Sequence, residues 1–283
     1  MLDVFELTDE DFSFIQDLTY QHIGVNLTEA KRPLLVSRLS KRLKSLGLSS
    51  FKEYRVRLQE HPEELEVMAN LLTTNVTYFF REDHHFNFLK EEVLPHIEER
   101  SDQQCHPPKI KGWSAGCSTG EEAYSTAIVL DDYFRNRRGW DYKILASDIN
   151  TQVLEEARKG IYPEEKVKNV PRAMLQRYFK AGTGENTGMF QVKDFLRARV
   201  IFTRINLSRE EEYPKVEDLD FIFCRNVFIY FDQESQEKIL HSFAKRLRPG
   251  GHLFLGHSET IDRRFQGGNP WRLVSHTVYR KEA

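Results

Sequence analysis

The chain has 283 residues, of which 40% are hydrophobic and 30% are charged, and its formal net charge is −2. Such a length can form one large domain or two modest ones, each with a buried core. The near-neutral charge excludes a global attraction to nucleic acid or to a membrane surface, so charge-based recognition would require a local patch.

The sequence predicts neither export nor membrane insertion. The N-terminus is acidic where a signal peptide needs a basic and then an apolar region, and no apolar run reaches the roughly 20 residues of a membrane span. Cys105, Cys117 and Cys224 lie far apart without metal-ligand spacing, which indicates free thiols in a reducing compartment. We therefore expect a cytoplasmic protein.

The N-terminal region predicts helices only. A first helix, with Thr8 or Asp9 as its N-cap and Gly24 at its end, places four apolar residues on one face: Phe12, Ile15, Leu18 and Ile23. A second helix ends at Gly47 and has an apolar face of Leu35, Leu39, Leu43 and Leu46. Its opposite face is basic and carries Lys31, Arg32, Arg38, Lys41, Arg42 and Lys44. Residues 1–72 are therefore assigned to a small helical domain.

From Lys109 onward, after a connecting segment over residues 73–108, strands alternate with helices. This alternation predicts a mostly parallel sheet covered on both faces, so residues 109–283 are assigned to an α/β domain. Between about 162 and 202 the alternation breaks, and strands joined by a glycine-bearing turn predict a small antiparallel β-subdomain. The final run, Trp271–Lys281, predicts an antiparallel edge strand.

The segment Gly116–Gly120 lies at the end of the first strand of this domain, where small residues let the backbone approach a ligand. Ligands of open α/β sheets bind at the carboxyl ends of the strands. Asp148 ends the second strand, which is the position of an acid that binds ribose hydroxyls. Loop and acid together predict a nucleoside site, although the loop alone could be a strand–helix turn that needs glycine.

Two glutamates, Glu121 and Glu122, open the helix after this loop. Ser118 with Glu121, or Thr119 with Glu122, would form a capping box. A carboxylate in the first turn suits the helix dipole, but it disfavours a phosphate at the same helix start. A nucleoside with an ammonium or sulfonium group and no phosphates meets this requirement, and S-adenosylmethionine is the obvious candidate.

Six motifs occur in the order in which one protein family has them. They are NVTYFFRE (75–82), WSAGCSTGEEAYS (113–125), ASDIN (146–150), INL (205–207), FCRNVFIYFD (223–232) and LFLGHSE (253–259). By these motifs and by its helical N-terminal region with a basic second helix, nearly the whole chain resembles the chemotaxis receptor methyltransferases, the CheR family. The resemblance implies a Rossmann-like class I methyltransferase domain with an inserted antiparallel β-subdomain, preceded by an all-helical domain.

The resemblance also implies a protein-glutamate O-methyltransferase of bacterial chemotaxis. Such an enzyme transfers a methyl group from S-adenosylmethionine to glutamates on chemoreceptor cytoplasmic helices, giving γ-methyl esters and S-adenosylhomocysteine. The implied cofactor-binding residues are Asn75, Thr77, Arg81, Gly116, Glu122, Asp148, Asn206, Leu207, Arg225 and Asn226. The motif register favours Glu122 over Glu121 as the ligand contact, but the sequence alone does not separate the two.

Arg81 and Tyr230 lie at the reacting end in the resemblance and are the implied catalytic residues. A glutamate carboxylate is already ionised at neutral pH, so alignment and electrostatics can supply most of the catalysis. The competing interpretations are a surface ion pair of Arg81 with Glu82 or Asp83, and a core position for Tyr230.

No metal site is predicted. His84 and His85 are adjacent, but no Cys or acid spacing complements them, so we expect structural histidines. Cys117 and Cys224 lie near the site in the sequence and are expected to be small buried residues.

In the family the basic second helix faces the acidic methylation helices of the receptor, which implies three docking residues, Arg38, Lys41 and Arg42. A solvated helix face is the alternative. The glycine-rich loop of the β-subdomain resembles the form that binds a pentapeptide at the receptor C-terminus, and a plain hairpin turn is the alternative. We expect a monomer with no nucleic-acid partner.

Two other functions compete with this interpretation. Methylation of a nitrogen on nucleic acid or on another protein often uses an Asn-Pro-Pro-Tyr-like run, whereas CRNVFIYF (224–231) occupies that place here. A non-catalytic, cofactor-binding scaffold of a signalling array would be expected to lack the motif residues. Here Arg81, Glu122, Asp148 and Tyr230 are all present.

Overall fold

The computed structural model of the chain describes four stretches: residues 5–104, 109–213, 215–261 and 270–282, without the side chains of 102–104. Cys105 lies outside the described residues, whereas Cys117 and Cys224 are free and buried, as expected. None of the helices in these stretches combines the length and the apolar character needed to cross a membrane.

Four helices form the N-terminal domain: α1 (Asp9–Ile23), α2 (Arg32–Ser45), α3 (Phe51–Glu60) and α4 (Pro62–Leu72). Thr8 caps α1 by accepting a hydrogen bond from the Asp11 amide, and Gly24 ends it in the left-handed conformation. The apolar faces of α1 and α2 meet in one cluster with Phe12, Ile15, Leu35, Leu39 and Leu43. The two predicted helices and their apolar faces are confirmed.

The remaining elements build the α/β domain. Its strands are β1 (Lys109–Ala115), β2 (Asp141–Asp148), β3 (Ile161–Pro163), β4 (Phe179–Ala181), β5 (Met189–Val192), β6 (Val200–Arg204), β7 (Leu219–Cys224), β8 (Leu247–Leu255), β9 (Trp271–Ser275) and β10 (Val278–Lys281). Its helices are α5 (Asp83–Phe88), α6 (Leu94–Gln104), α7 (Glu121–Phe134), α8 (Thr151–Lys159), α9 (Glu164–Val167), α10 (Arg172–Tyr178), α11 (Asp194–Arg197) and α12 (Gln233–Arg246). A π-helical segment, Leu89–Val93, joins α5 to α6.

The main sheet has the strand order β6-β2-β1-β7-β8-β10-β9. The first five strands of this order are parallel, and β10 and β9 are antiparallel additions. The chain adds β2 on one side of β1 and later adds β7 on the other side. The strand order therefore reverses between β1 and β7. In open α/β sheets this switch point is where a crevice forms at the carboxyl ends of the strands.

Both faces of the main sheet are covered, as the alternation of strands and helices predicts. Strand β7 shows this most clearly, because its residues enter two different apolar clusters. Phe221 and Phe223 pack in the cluster that includes α7, whereas Ile222 and Cys224 pack in the cluster that includes α12. Burial on both faces explains why the strand is an unbroken apolar run apart from Asp220.

Two strand predictions need correction. Residues 200–202 were assigned to the β-subdomain, but β6 pairs in parallel with β2 at the edge of the main sheet, because α11 ends the small sheet and returns the chain there. The Trp271–Lys281 run forms two strands, β9 and β10, and not one. Their turn contains Thr277 at φ +53°, and it lacks the glycine or proline that would have marked it in the sequence. The small antiparallel sheet itself, in the order β3-β5-β4, is confirmed.

A buried ion pair stabilises the N-terminal domain. The Glu64 carboxylate, 2% exposed, accepts hydrogen bonds from Arg42 Nε at 2.9 Å, Arg42 Nη2 at 2.7 Å and the Tyr54 hydroxyl at 3.0 Å. Burial by itself would raise the pKa of Glu64, but the hydrogen bonds from Arg42 and Tyr54 outweigh it and lower the pKa. Arg42, an implied docking residue, therefore has an internal structural partner.

Arg42→Ala is expected to destabilise the protein, because it leaves the Glu64 carboxylate buried without its bidentate partner. The free energy of unfolding, measured by urea denaturation at pH 7, should fall by about 3 kcal/mol. This difference should be full above pH 4.5, the ordinary pKa of Glu64, and should shrink as the pH falls further and the carboxylate is protonated. Lys41→Ala, at the exposed neighbouring position, should change stability by less than about 0.5 kcal/mol. Equal stability of the two variants would contradict the structural role of Arg42.

Candidate functional site

A cavity of about 430 Å³ lies at the carboxyl ends of the parallel strands, at the switch point of the main sheet. All of the cofactor-binding and catalytic residues implied by the sequence line it: Asn75, Thr77, Arg81, Gly116, Glu122, Asp148, Asn206, Leu207, Arg225, Asn226 and Tyr230. The N-terminal domain and the segment after it contribute further lining residues, which sequence reasoning missed: Ile23, Val25, Leu72, Thr73 and Thr74. The cavity is therefore a composite of both domains.

Glu122 projects into this cavity from the first turn of α7. Its side chain is only 11% exposed, and it accepts a hydrogen bond from the Ser114 hydroxyl at 2.7 Å. Arg225 Nη1 lies 3.3 Å from its other oxygen. Burial raises the pKa of Glu122, while Arg225 and Ser114 oppose this shift. A bound cation would therefore further stabilise the negative charge of this buried carboxylate.

Glu121 does not line the cavity, so the structure separates the two glutamates. It is fully buried, and it accepts hydrogen bonds from the Thr119 hydroxyl at 2.6 Å and from Lys166 Nζ at 2.6 Å. The predicted capping box is wrong, because the N-cap of α7 is Gly120 at φ +95°, with no side-chain cap. Ser118 is unavailable for capping, since its hydroxyl donates to the backbone carbonyl of Asn75.

Asp148 holds the loop after β1 in shape. Its Oδ2 accepts the Ser118 amide at 2.8 Å, and its Oδ1 accepts the Asn150 amide at 2.9 Å. Burial raises the pKa of Asp148, and these backbone hydrogen bonds oppose the shift. Each carboxylate oxygen has a second acceptor site, so Asp148 can hold the loop and still accept a hydrogen bond from a ligand hydroxyl.

Arg225 connects the two sides of the cavity. It follows β7, is 6% exposed, and has its Nη1 3.3 Å from Glu122 Oε2 and its Nη2 3.3 Å from Glu82 Oε2. Its Nη2 also donates a hydrogen bond to the Arg81 carbonyl. The guanidinium thereby joins the ends of β7 and α7 to the segment that precedes α5.

Arg81 and Tyr230 lie together in the cavity wall. Arg81 donates from Nη1 to the Val76 carbonyl at 2.8 Å, and its Nε is 3.9 Å from Glu82 Oε1, so the competing ion pair is present only as a long contact. The Tyr230 hydroxyl donates to the Thr74 carbonyl at 3.4 Å, and burial raises the pKa of Tyr230. Neither side chain is sealed in the core, since both line the cavity.

The sequence matches two family models, which together span most of the chain. They are CheR methyltransferase, all-alpha domain, over residues 10–73, and CheR methyltransferase, SAM binding domain, over residues 75–270. The chain belongs to the CheR methyltransferase family.

Curated relatives agree with these matches over nearly full length. The chain is 43% identical over 277 residues to chemotaxis protein methyltransferase 2 of Pseudomonas aeruginosa, covering 97% of this chain and 94% of the relative. It is 43% identical over 278 residues to the chemotaxis protein methyltransferase of Escherichia coli, covering 96% and 91%. The corresponding protein of Borreliella burgdorferi is 37% identical over 278 residues, covering 97% and 95%. The protein is therefore a methyltransferase of chemotaxis, and S-adenosylmethionine is its cofactor.

The charges of the cavity fit this cofactor. Among the described lining residues, the charged side chains are Arg81, Glu122, Asp148 and Arg225. The charge of Arg225 is balanced by Glu82 and Glu122, and Arg81 bonds to a backbone carbonyl. The carboxylates of Glu122 on α7 and Asp148 at the end of β2 therefore line the cavity beside the loop after β1, which suits an ammonium or sulfonium group and not a pyrophosphate.

In this CheR-family enzyme the N-terminal domain is bonded to the cavity wall by side chains that the sequence suggested for other roles. Arg38, an implied docking residue, donates from Nη1 to the carbonyls of three consecutive residues, Leu71, Leu72 and Thr73, at 3.2, 2.7 and 2.7 Å. Asn206, implied to flank the adenosine, donates from Nδ2 to the His22 carbonyl at 2.9 Å. Arg38 thus holds the cavity-lining segment at the end of α4, and Asn206 bonds the α/β domain to the end of α1.

Glu259 organises the loop that carries Tyr230, and sequence reasoning gave it no role. It is 4% exposed, and its Oε2 accepts the amides of Gly256 at 2.6 Å and Asn226 at 2.8 Å, while its Oε1 accepts the Ile229 amide at 3.4 Å. Asn226 has φ +59°, a conformation that needs such support. The available signal was its place as the last residue of the LFLGHSE motif.

Glu259→Gln is expected to destabilise this loop, because an amide NH2 group would face backbone N–H donors in place of an acceptor oxygen. The free energy of unfolding should fall by about 1–3 kcal/mol, and methyl transfer should slow because Asn226 and Ile229 line the cavity. Urea denaturation and a rate assay measure the two effects. Glu234→Gln, an exposed residue of α12 that pairs with Lys238, is the control and should change neither. A Glu259→Gln protein with the stability and rate of the parent would refute the assignment.

Proposed function

We propose that this enzyme methylates specific glutamate side chains on the cytoplasmic helices of chemoreceptors, forming γ-methyl esters in chemotactic adaptation. The proposal rests on one cavity that combines an interior acid for the cofactor, Glu122, with a guanidinium for a substrate carboxylate, Arg81. The shared name of the relatives, chemotaxis protein methyltransferase, supports the pathway. The protein acts in the cytoplasm as a monomer.

The lining residues divide the cofactor among three parts of the cavity. Glu122 and the loop backbone at Gly116 bind the methionine end, where the Glu122 carboxylate shares the single Arg225 guanidinium with Glu82. Asp148 accepts hydrogen bonds from the ribose hydroxyls, and Leu207 packs on the adenosine beside Asn206. The remaining contacts come from Asn75, Thr77, Arg225 and Asn226, which close the cavity around the ligand.

The reaction needs alignment more than proton transfer. S-adenosylmethionine supplies an electrophilic methyl group on a sulfonium and leaves as S-adenosylhomocysteine. The attacking glutamate is already ionised at neutral pH, so no general base is required. Arg81, with a side chain 29% exposed, orients the incoming carboxylate. Tyr230 is protonated at neutral pH, as an ordinary tyrosine is, and burial raises its pKa further, so its hydroxyl is a donor at the reacting end.

The chemical nature of the product tests the proposed function directly. The protein is incubated with methyl-labelled S-adenosylmethionine and a receptor cytoplasmic fragment, and the labelled fragment is treated with mild base. Volatile labelled methanol is the expected result, because only esters hydrolyse under these conditions. Base-stable label would indicate N-methylation and overturn the proposal, and absence of label would point to a non-catalytic scaffold.

Glu122→Gln should weaken binding of both S-adenosylmethionine and S-adenosylhomocysteine by about tenfold or more, because the two share the ammonium group that Glu122 balances. Isothermal titration calorimetry measures both dissociation constants. Glu121→Gln is the matched control, since Glu121 neighbours Glu122 but pairs with Lys166 outside the cavity. It should keep both affinities within about threefold. The reverse ranking of the two variants would refute this placement of the cofactor.

Arg81→Ala should lower kcat by about 100-fold and weaken S-adenosylhomocysteine binding by a much smaller factor, because the guanidinium lines the cofactor cavity but acts mainly on the substrate carboxylate and the transition state. Arg81→Lys should restore part of the rate, since it keeps the charge without the fork geometry. Single-turnover rates and calorimetry separate the two quantities. An Arg81→Ala enzyme with a normal rate would rule out the catalytic role.

Of the three implied docking residues on α2, Arg38 and Arg42 bond to partners inside the protein. Lys41 is exposed and is therefore the one that we propose contacts the receptor. We expect Lys41→Glu to raise the KM for the receptor fragment and to reduce its salt dependence, with cofactor affinity unchanged. Unchanged salt dependence would count against docking.

The β-subdomain is proposed to bind the receptor C-terminal pentapeptide, and failure of an immobilised pentapeptide to retain the protein would count against it.

A further inference from the structure

The structure gathers several histidines beside the cofactor cavity, at the start of α5. Glu82, His84 and His85 each offer one potential metal-ligand atom, and these atoms lie within 4.8 Å of one another. The ring of His276 lies 5.5 Å from that of His84 between centroids, and His257 stacks on His276 at 5.0 Å. The chain thus concentrates four of its 10 histidines in one place.

Two imidazole nitrogens of this cluster, His84 Nε2 and His85 Nδ1, are buried without a hydrogen bond, and the third atom, Glu82 Oε2, has no hydrogen bond but forms an ion pair with Arg225 Nη2 at 3.3 Å. The His85 side chain is 0% exposed, and its other ring nitrogen lies 2.9 Å from the Thr277 hydroxyl. That contact fixes the ring and directs Nδ1 toward Glu82 Oε2, at 3.5 Å. Buried polar atoms without hydrogen bonds are costly and rare, so two such imidazole nitrogens beside the Glu82 carboxylate point to a missing ligand.

We propose that Glu82, His84 and His85 form a binding site for a divalent transition metal ion of the zinc class. Two imidazoles and one carboxylate are a ligand set of zinc sites that keep an open fourth position. Imidazole ligands favour zinc, nickel or copper over magnesium or calcium. The Thr277 hydroxyl on the far side of the His85 ring supplies the outer contact that such ligands usually have. The exposed imidazole of His276 lies nearby, with its ring centroid 5.5 Å from that of His84, and the fourth position is left open to water or another ligand.

Arg225 opposes metal binding and sets its strength. Its Nη2 lies 3.3 Å from Glu82 Oε2, so a metal ion must draw the Glu82 carboxylate away from a guanidinium. Arg225 keeps two other acceptors when this happens, Glu122 at 3.3 Å and the Arg81 carbonyl. The competition lowers the affinity, and we expect a dissociation constant on the order of micromolar. The site takes no part in the proposed methyl transfer, although it is linked to the cavity through Glu82 and Arg225, and it does not depend on the identity of the methylated substrate.

Zinc titration of the full chain tests the site without measuring activity. The protein is stripped with a chelator, kept reduced, and titrated with Zn²⁺ in competition with a chromophoric zinc indicator. The parent should bind one equivalent, and His84→Gln should weaken that site by about tenfold or more. His61→Gln is the matched control, because His61 also lies beside a glutamate, Glu63, but is in the N-terminal domain and outside this cluster. Equal zinc affinity of the parent and His84→Gln would overturn the proposal.

Cobalt(II) provides a second measurement on the parent protein, which does not depend on whether a variant folds. Bound Co²⁺ in a four-coordinate nitrogen and oxygen site absorbs in the visible range, whereas hydrated Co²⁺ absorbs only weakly. Saturable visible bands that Zn²⁺ displaces and Mg²⁺ leaves unchanged are expected. Absence of such bands, or equal displacement by Mg²⁺, would refute the site.

Discussion

The geometry of the cavity depends on one buried guanidinium, that of Arg225, whose positive charge must be balanced by neighbouring carboxylates. Arg225 is nearly inaccessible, and its charge is balanced by Glu122 on one side and Glu82 on the other. The rings of Phe86 and Phe223 lie 5.6 and 6.0 Å from its centre. Removing the guanidinium would leave two carboxylates in a poorly solvated region, which is strongly unfavourable. The start of α7, the end of β7 and the segment before α5 are therefore fixed as a unit.

A second set of polar contacts joins the helical domain to this unit. Arg38 holds the backbone of Leu71, Leu72 and Thr73, and the side chain of Asn150 donates to the Asn70 carbonyl and the Thr73 hydroxyl. The segment after α4 is thus bonded both to the basic helix and to the end of β2. Residues of the helical domain and of the α/β domain together form the cavity wall, so the wall depends on the contact between these two domains.

Much of the fold could be predicted because its signals are local. Thr8 and Gly24 delimit α1, and the apolar spacing of α2 and the strand–helix alternation fix element types. Gly116 and Asp148 were recognisable because strand ends converge at one edge of a parallel sheet. The contacts of Arg38, Asn206 and Glu259 were not predictable, since they bond to residues that are distant in the chain or lie on another element. The capping box failed for a related reason: Gly120 at positive φ sets the entry to α7 and excludes a side-chain cap.

The small antiparallel sheet is fastened to the loop at the start of α7. The Tyr162 hydroxyl donates to the Thr119 carbonyl at 2.7 Å, and Lys166 on α9 pairs with Glu121. A Cβ atom at Gly120 would come within 2.9 Å of Ala157 and 3.0 Å of Tyr162, so the packing has no room for a side chain at this position. These contacts attach the small sheet directly beside the loop and the helix start that line the cavity. For a substrate anchored there by a flexible segment, the length and stiffness of that segment would set the effective concentration of its reactive group at the cavity.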